Sequence, residues 1–315
     1  VMKQNIKIPF VDLYSQNEEL RTEIDLAIAD IIDRSDFITG PTVERVEKAI
    51  AEYTESEDCA SVGSGTNALV CALRALNIGP GDEVLTVGHT FVSTTEAIVN
   101  VGAKPLFIDI DEYYHFDIEQ CNKFDELYLG LNAPKAILFV DLYGQTPDIN
   151  KIKKFARKYG IKIIQDAAQS FGAKYNDKTI GSLVDLTCFS FNPVKNLGAM
   201  GDSGAVTGSK KLIDKVRMYR DHGRKTKFEY DKVGYNMRID NLQAVVIEAK
   251  LKKIDEWIER KRKVCHKYTE ALKDIVITPK EAPWAYHTYY VYVIETPKGT
   301  RDALQKHLKE KGIAT

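Results

Sequence analysis

Between residues 59 and 207, short apolar runs bounded by polar turns alternate with stretches of helical spacing, and this alternation restricts the fold more than any other feature. Strands are expected near 59–62, 83–87, 105–109, 136–141, 161–165, 186–191 and 203–207, with helices near 66–77, 91–101, 149–159 and 210–221. Such a succession argues for an α/β fold, a mostly parallel seven-stranded sheet with helices on its faces. The segment 112–132 mixes aromatic and polar residues without a clear period.

The flanks read as helical. NEELRTEIDLAIADIIDRS carries Leu20, Ile24, Ala27, Ile28, Ile31 and Ile32 at helical spacing, which predicts one amphipathic helix. A second is expected to start at a Thr42 cap and run to about Tyr53. After Gly234, RIDNLQAVVIEAKLKKIDEWIERKRKVCHKYTEAL predicts one long helix with a charged side and an apolar side. It would join a large domain, 1–245, to a smaller C-terminal α/β domain, 246–315. The smaller domain would hold an alternating strand in YHTYYVYVIE and a helix from Arg301 to Lys311.

With 44% hydrophobic residues, a chain of 315 can bury a large core. Its 44 basic and 45 acidic residues leave a net charge of -1, so nothing in the global charge favours nucleic acid or an anionic membrane as partner. Apolar runs stay short of the roughly 20 residues that span a bilayer, and VMKQNIKIPF lacks the apolar core of a signal peptide. A cytoplasmic location is expected. Cys59, Cys71, Cys121, Cys188 and Cys265 are odd in number, widely spaced and outside any zinc-type cluster, so they are expected to be free thiols, with no metal site.

Three stretches carry the chemistry. In LTCFSFNPVKNLGAMGDSG, residues 186–204, an apolar strand ends at Ser190 and runs into a turn holding Lys195, followed by Gly198, Gly201 and Gly204. A loop lysine is ordinarily solvated. One with a lowered pKa becomes a nucleophile able to form a Schiff base with an aldehyde cofactor such as pyridoxal phosphate. In SVGSGTNAL, Gly63, Ser64, Gly65 and Thr66 lie where a strand gives way to a helix, whose first amides can hold a phosphate. A tight connection explains these glycines equally well, and the pattern is not a GxxxxGK[ST] loop. KIIQDAAQS ends a strand at Asp166, with Gln169 three residues on, at the strand end where α/β folds place ligand-binding groups. A helix cap is the alternative reading of Asp166.

Taken in order, GSGTNAL, HTFVST, DLYGQ, IIQDAAQSFGA, CFSFNPVKNLGAMGDSGAV, DHGR and GYNMRIDNLQA resemble the DegT/StrS family of nucleotide-sugar aminotransferases over nearly the whole chain. The resemblance implies the aspartate aminotransferase-like fold type I and the cofactor pyridoxal 5'-phosphate, with pyridoxamine phosphate as an intermediate. It makes Lys195 the Schiff-base lysine, Asp166 the partner of the pyridine nitrogen and Gln169 a neighbour of the ring hydroxyl. Phe91 would stack on the ring, against the competing reading of a core phenylalanine at a helix start. Gly65 and Thr66 would offer amides to the phosphate, with the Ser190 hydroxyl beside them. Asn236, otherwise a turn or cap residue, would reach the phosphate from the neighbouring subunit, which implies a homodimer with shared active sites.

The implied reaction moves an amino group from glutamate to a 3-keto or 4-keto nucleotide-linked sugar, in amino-sugar biosynthesis of the kind that feeds cell-surface polysaccharide. Two rivals are a dehydratase of the same family, which typically carries histidine where Lys195 stands, and a non-catalytic regulator that keeps the fold and binds the cofactor. Lys195 argues against the first; intact chemistry-bearing positions and the lack of a basic DNA-reading segment argue against the second. Members commonly continue for several dozen residues past the motif resembling KGIAT, so the smaller domain is expected to be incomplete. Asp141 stands where many members have histidine, a change expected either to alter the substrate pocket or to serve as a cap or loop residue.

Overall fold

The computed structural model describes residues 7–121 and 133–315. Residues 1–6 of the stretch read for a signal peptide, and 122–132 of the aperiodic segment, lie outside the described residues.

The expected amphipathic helix is found as α2 (Arg21–Arg34), and a short helix that was not expected, α1 (Leu13–Glu18), precedes it. Asp12 starts α1 by accepting from the Ser15 amide at 3.0 Å. The break falls at Leu20, whose backbone leaves helical geometry at φ -120, ψ 10 while its side chain is buried. Helix α3 (Pro41–Tyr53) is capped by Gly40 and not by Thr42. Pro41 occupies the first helical position, where its fixed φ suits a helix and its missing N–H costs nothing. That puts Thr42 inside the first turn, fully buried.

The alternating part follows as β1 (Asp58–Val62), α4 (Gly65–Ala75), β2 (Glu83–Val87), α5 (Ser93–Asn100), β3 (Lys104–Ile108), the short α6 (Ile118–Cys121) and β4 (Ala136–Val140). After it come α7 (Ile149–Tyr159), β5 (Lys162–Asp166), the two-residue strands β6 (Lys174–Tyr175) and β7 (Lys178–Thr179), β8 (Leu186–Ser190), β9 (Gly204–Gly208) and α8 (Lys210–Arg220). Local chemistry sets several of these ends. Asp148 accepts from the amides of Asn150 and Lys151 to start α7, and Gly160, at φ 66, ends it.

The main sheet has seven strands in the order β1-β9-β8-β5-β4-β2-β3. Strand β9 runs antiparallel to both neighbours, and the other pairings are parallel. The expected α/β class and mostly parallel sheet are therefore found. Apolar clusters cover both faces: one joins the sheet to α4, α5, α7 and α8, the other to α3 and the C-terminal helices. Burial on two sides explains why β4 (AILFV) and β8 (LTCFS) are wholly buried along their length. Register aligns Val140 with Asp166 and Asp166 with Cys188, so β4, β5 and β8 end together at one edge of the sheet, against the start of α4.

The expected long C-terminal helix is α9 (Asn241–Leu251) and α10 (Ile254–Leu272). They part at Lys252–Lys253, where the Lys253 amide reaches back only three residues, to Lys250. YHTYYVYVIE is not a continuous strand. Only β10 (Ala285–Tyr286) pairs, with β6, and an isolated bridge joins Glu295 to Ile277. The cause lies in the backbone between them: Tyr289 sits at φ 48, and the His287 Nδ1 takes its amide proton at 2.9 Å. Helix α11 (Arg301–Glu310) lies where expected. Among the described residues no helix is long and apolar enough to cross a membrane, no group of three or more His, Cys, Asp or Glu could hold a metal, and the five cysteines are free and buried.

Candidate active site

The edge where β4, β5 and β8 end opens into a cavity of ≈ 310 Å³ lined by Gly65, Thr66, Phe91, Asp166, Gln169, Ser190 and Lys195. Its size lies at the lower end of the range of about 300 to 1,000 Å³ for small-molecule sites. Asn236, the remaining residue singled out from sequence, lies elsewhere in this chain. Its backbone bridges to Asp221 and its Oδ1 accepts from Arg238 Nη2 at 2.8 Å. A larger concavity of ≈ 690 Å³ beside α3 holds none of these residues, and Arg217 in it pairs with Asp58 at 2.6 Å and with Glu47 at 3.2 Å.

Strand β5 delivers Asp166 at its last position, buried. Burial pushes its pKa up, while three neighbours pull it back: Thr94 Oγ1 donating to Oδ2 at 2.7 Å, the Ala168 amide donating to Oδ1 at 3.2 Å, and the charge of Lys195. Lys195 sits in the turn after β8. Burial lowers its pKa, the Asp166 carboxylate works against that shift, and the Nζ lies 4.4 Å from the centre of the Tyr290 ring. The pair is thus an amine with an enlarged neutral fraction and a carboxylate kept ionisable by its surroundings.

On another wall of the same cavity α4 begins. Ser64 caps it by accepting from the Asn67 amide at 3.1 Å, which leaves the Gly65 and Thr66 amides at a helix start with no carbonyl behind them. Glycine is required there: a Cβ on Gly65 would lie 2.7 Å from the Ser190 Cβ, so a larger residue would part α4 from the end of β8. Phe91 is 66% exposed at the mouth and is not the core residue of the competing reading. Gln169 Oε1 accepts from the Tyr143 amide at 2.7 Å. Asp141 does not line the cavity; it is buried beneath it, accepting from Gln165 Nε2 and Ser170 Oγ, each at 2.7 Å.

A helix start, a half-buried amine and a buried carboxylate on the walls of one small cavity fit a group that carries a phosphate, an aldehyde and a basic ring nitrogen. The donor set therefore suits pyridoxal phosphate. Sequence reading missed Thr94, which lies in the quoted HTFVST but gives no signal of bonding a residue 72 positions away. It also missed Tyr290, hidden in a run read as a plain strand. Asn192 and Asp202, which bond each other at 2.9 Å on the cavity wall, belong to the recognised lysine stretch but had no assigned role.

Compared with known proteins, residues 18–315 match the DegT/DnrJ/EryC1/StrS aminotransferase family. The pleiotropic regulatory protein of Geobacillus stearothermophilus is 41% identical over 316 residues, covering 98% of this chain and 83% of that protein. The UDP-N-acetyl-3-dehydro-alpha-D-glucosamine 3-aminotransferase of Acidithiobacillus ferrooxidans is 38% identical over 322 residues, covering 100% and 84%. Among solved structures, that of S. venezuelae DesV in complex with a ketimine intermediate superposes with a TM-score of 0.92 at 35% identity, covering 97% of this chain and 82% of that one. This likeness bears out the fold type I architecture expected from the sequence.

Proposed function

This chain belongs to the DegT/DnrJ/EryC1/StrS aminotransferase family, and from that premise we propose that it is a pyridoxal phosphate-dependent transaminase that aminates a nucleotide-linked keto sugar with Lys195 as its covalent residue. The observation that carries the reading is the sharing of one buried cavity by Lys195, Asp166 and the start of α4. The Gly65 and Thr66 amides and the Ser190 hydroxyl would hold the cofactor's phosphate, Asp166 its ring nitrogen, Gln169 its ring hydroxyl and Phe91 its open face. When bound, the cofactor supplies an electron sink for the carbanion left as the amino donor loses its Cα proton.

The chain's own groups do the rest. The Lys195 Nζ, lowered in pKa by burial, would hold the cofactor's aldehyde carbon as a Schiff base, with the aldehyde oxygen leaving as water, and once released would take the donor's Cα proton. In the second half of the cycle the same nitrogen returns a proton to the sugar carbon that receives the amine. An ionised Asp166 would keep the cofactor's ring nitrogen protonated.

Glutamate is the proposed donor. A 3-keto sugar is favoured over a 4-keto sugar because the Acidithiobacillus relative is named for 3-amination. The proposed unit is a homodimer in which Asn236 of one copy completes the other's phosphate site. Two observations support this: Asn236 lies outside its own chain's cavity, and the nearby Phe228 and Val233 are 82% and 92% exposed. A cytoplasmic location and a role in cell-surface polysaccharide belong to the same reading.

The 41% identical relative named as a regulatory protein favours a second reading, a non-catalytic regulator that keeps the cofactor. One experiment separates the two. Borohydride reduction followed by peptide mapping should label Lys195, and the visible spectrum should cycle on adding glutamate and then UDP- or dTDP-linked 3-keto and 4-keto sugars. A label on another residue overturns the site. A correct label without cycling on any sugar favours the regulator.

A further inference from the structure

Asn196, next to the reactive lysine, has no part in the chemistry above, yet its buried amide is fully engaged. Its Nδ2 donates to the Phe171 carbonyl at 3.2 Å and to Thr288 Oγ1 at 2.9 Å, and its Oδ1 accepts from Lys261 Nζ at 2.7 Å. The Thr288 hydroxyl and amide both donate to the Gly144 carbonyl, at 3.0 and 2.8 Å. Tyr143, one residue earlier and left-handed at φ 64, gives its amide to Gln169. A continuous path thus runs from Lys261 through Asn196, Thr288, Gly144 and Tyr143 to Gln169 on the cavity wall. Gly144 cannot carry a side chain: at φ +117 its Cβ would fall 2.6 Å from Thr288 Oγ1 and 2.8 Å from the Tyr290 amide.

Lys261 is a half-buried lysine on an otherwise apolar stripe. It falls at helical spacing on the α10 stripe whose other members, Ile254, Ile258 and Cys265, are buried. Burial pulls its pKa down to about 8. Its bonded partner there is a neutral amide, which compensates poorly for a desolvated ammonium. An apolar side chain would serve the helix better, so the donor's value lies in what it holds. It also lines a second cavity of ≈ 420 Å³ that shares Val194, Lys195 and Tyr290 with the first, so the lysine turn has open space on both sides. A turn flanked by open space needs bonds to keep its shape.

We propose that Lys261 is a positioning residue for Lys195: by holding Asn196 it fixes the turn that presents the reactive amine, and through Thr288 and Gly144 it ties that turn to the Gln169 wall. The inference deepens the reading of Lys195 as the covalent lysine and rests on it for its kinetic consequence. Without the Lys261 donor, the Asn196 Oδ1 is left buried and unpaired. The turn then relaxes toward the second cavity, and the Lys195 amine gains solvent.

The test uses Lys261→Met, which keeps the apolar stem and removes the donor. Competitive acylation of the cofactor-free protein by acetic anhydride across pH, read by peptide mapping, gives the titration midpoint of Lys195. The midpoint should rise toward the ordinary lysine value of about 10.4. In the loaded enzyme kcat should fall by roughly 100-fold, as for a displaced reacting group, while KM for the sugar holds within about threefold. Asn196→Ala should give the same shift, and the double variant should be no worse than the poorer single variant. An unchanged Lys195 midpoint in a folded Lys261→Met protein, or additive losses in the double variant, overturns the proposal and leaves Lys261 a structural residue. Should Lys261→Met not fold, Asn196→Ala alone decides by the same midpoint. Acylation does not depend on cofactor chemistry, so failure here is distinct from borohydride failing to label Lys195.

Discussion

Strands β4 and β5 lie side by side, and each leads to a buried aspartate at its C-terminal end, Asp141 and Asp166, with the amide of the first donating to the carbonyl of the second at 3.0 Å. Burial pushes both carboxyls up. Asp166 opens on the cavity, where Thr94, the Ala168 amide and the Lys195 charge pull it back. Asp141 is sealed beneath. Gln165 and Ser170 reach its Oδ2, its Oδ1 has no partner among the described residues, and its pKa rises to about 7, with the charge of Asp166 adding to the push. The contrast teaches that a buried acid at a strand end is not thereby a catalytic one. A facing cation and an opening onto a cavity make the difference, and Asp141 has neither among the described residues.

Removing the cation should break the contrast most severely. Lys195→Ala should abolish transamination, a loss of more than about 10⁴-fold, together with the absorbance band of the lysine-bound cofactor. Asp166 would then lose one of the influences that hold its pKa down and come to resemble Asp141. Next in size, Asp166→Ala should lower kcat by roughly 10²- to 10³-fold, whereas Asp141→Asn should leave kcat within about threefold. Steady-state kinetics on the two variants decides the comparison. Equal losses would mean that the sealed carboxyl also serves the chemistry.

The sequence disclosed the open half of this pair and concealed the other. Short apolar strands buried on both faces carry an unmistakable pattern, so the positions of β1 to β5, β8 and β9 along the chain were readable to within a residue or two, and their order in the sheet was not. Asp166 and Lys195 stood out because each ends or follows such a strand. The pattern does not say which polar side chains meet through space. The bond from Thr94 to Asp166 and the path from Lys261 to Asn196 join residues dozens of positions apart. Segment 285–295 misled for another reason. Its tyrosines and valines have strand propensity, but the left-handed Tyr289 and the bond from its amide to His287 override propensity with a local turn.

A smaller effect should sharpen the picture of Asp166. Thr94→Val removes the 2.7 Å bond to Oδ2 at nearly constant shape. That bond holds the carboxyl's pKa down, so its loss should raise the pKa. Activity needs the ionised form, and the acid limb of the pH–rate profile should move to higher pH. At neutral pH the cost should be about tenfold in kcat, the equivalent of one hydrogen bond to a charged group. An acid limb that stays in place would show that the Ala168 amide and Lys195 hold Asp166 ionised without Thr94.

The smallest expected effect is on stability and falls on Asp141. Its folded pKa, about 7, lies above the unfolded carboxyl value of about 3.9. Between those values the native state keeps a proton that the unfolded chain has released, so raising the pH through this window lowers stability, and above it the loss is complete. Asp141→Asn removes the titration, can keep an oxygen for Gln165 and Ser170, and puts a neutral amide where the unpartnered Oδ1 stood. The variant should therefore match the parent near pH 4 and exceed it at pH 8. Urea unfolding at the two pH values measures this directly. A gain of equal size at both would place its origin in packing and remove the claim that this acid is held neutral by burial.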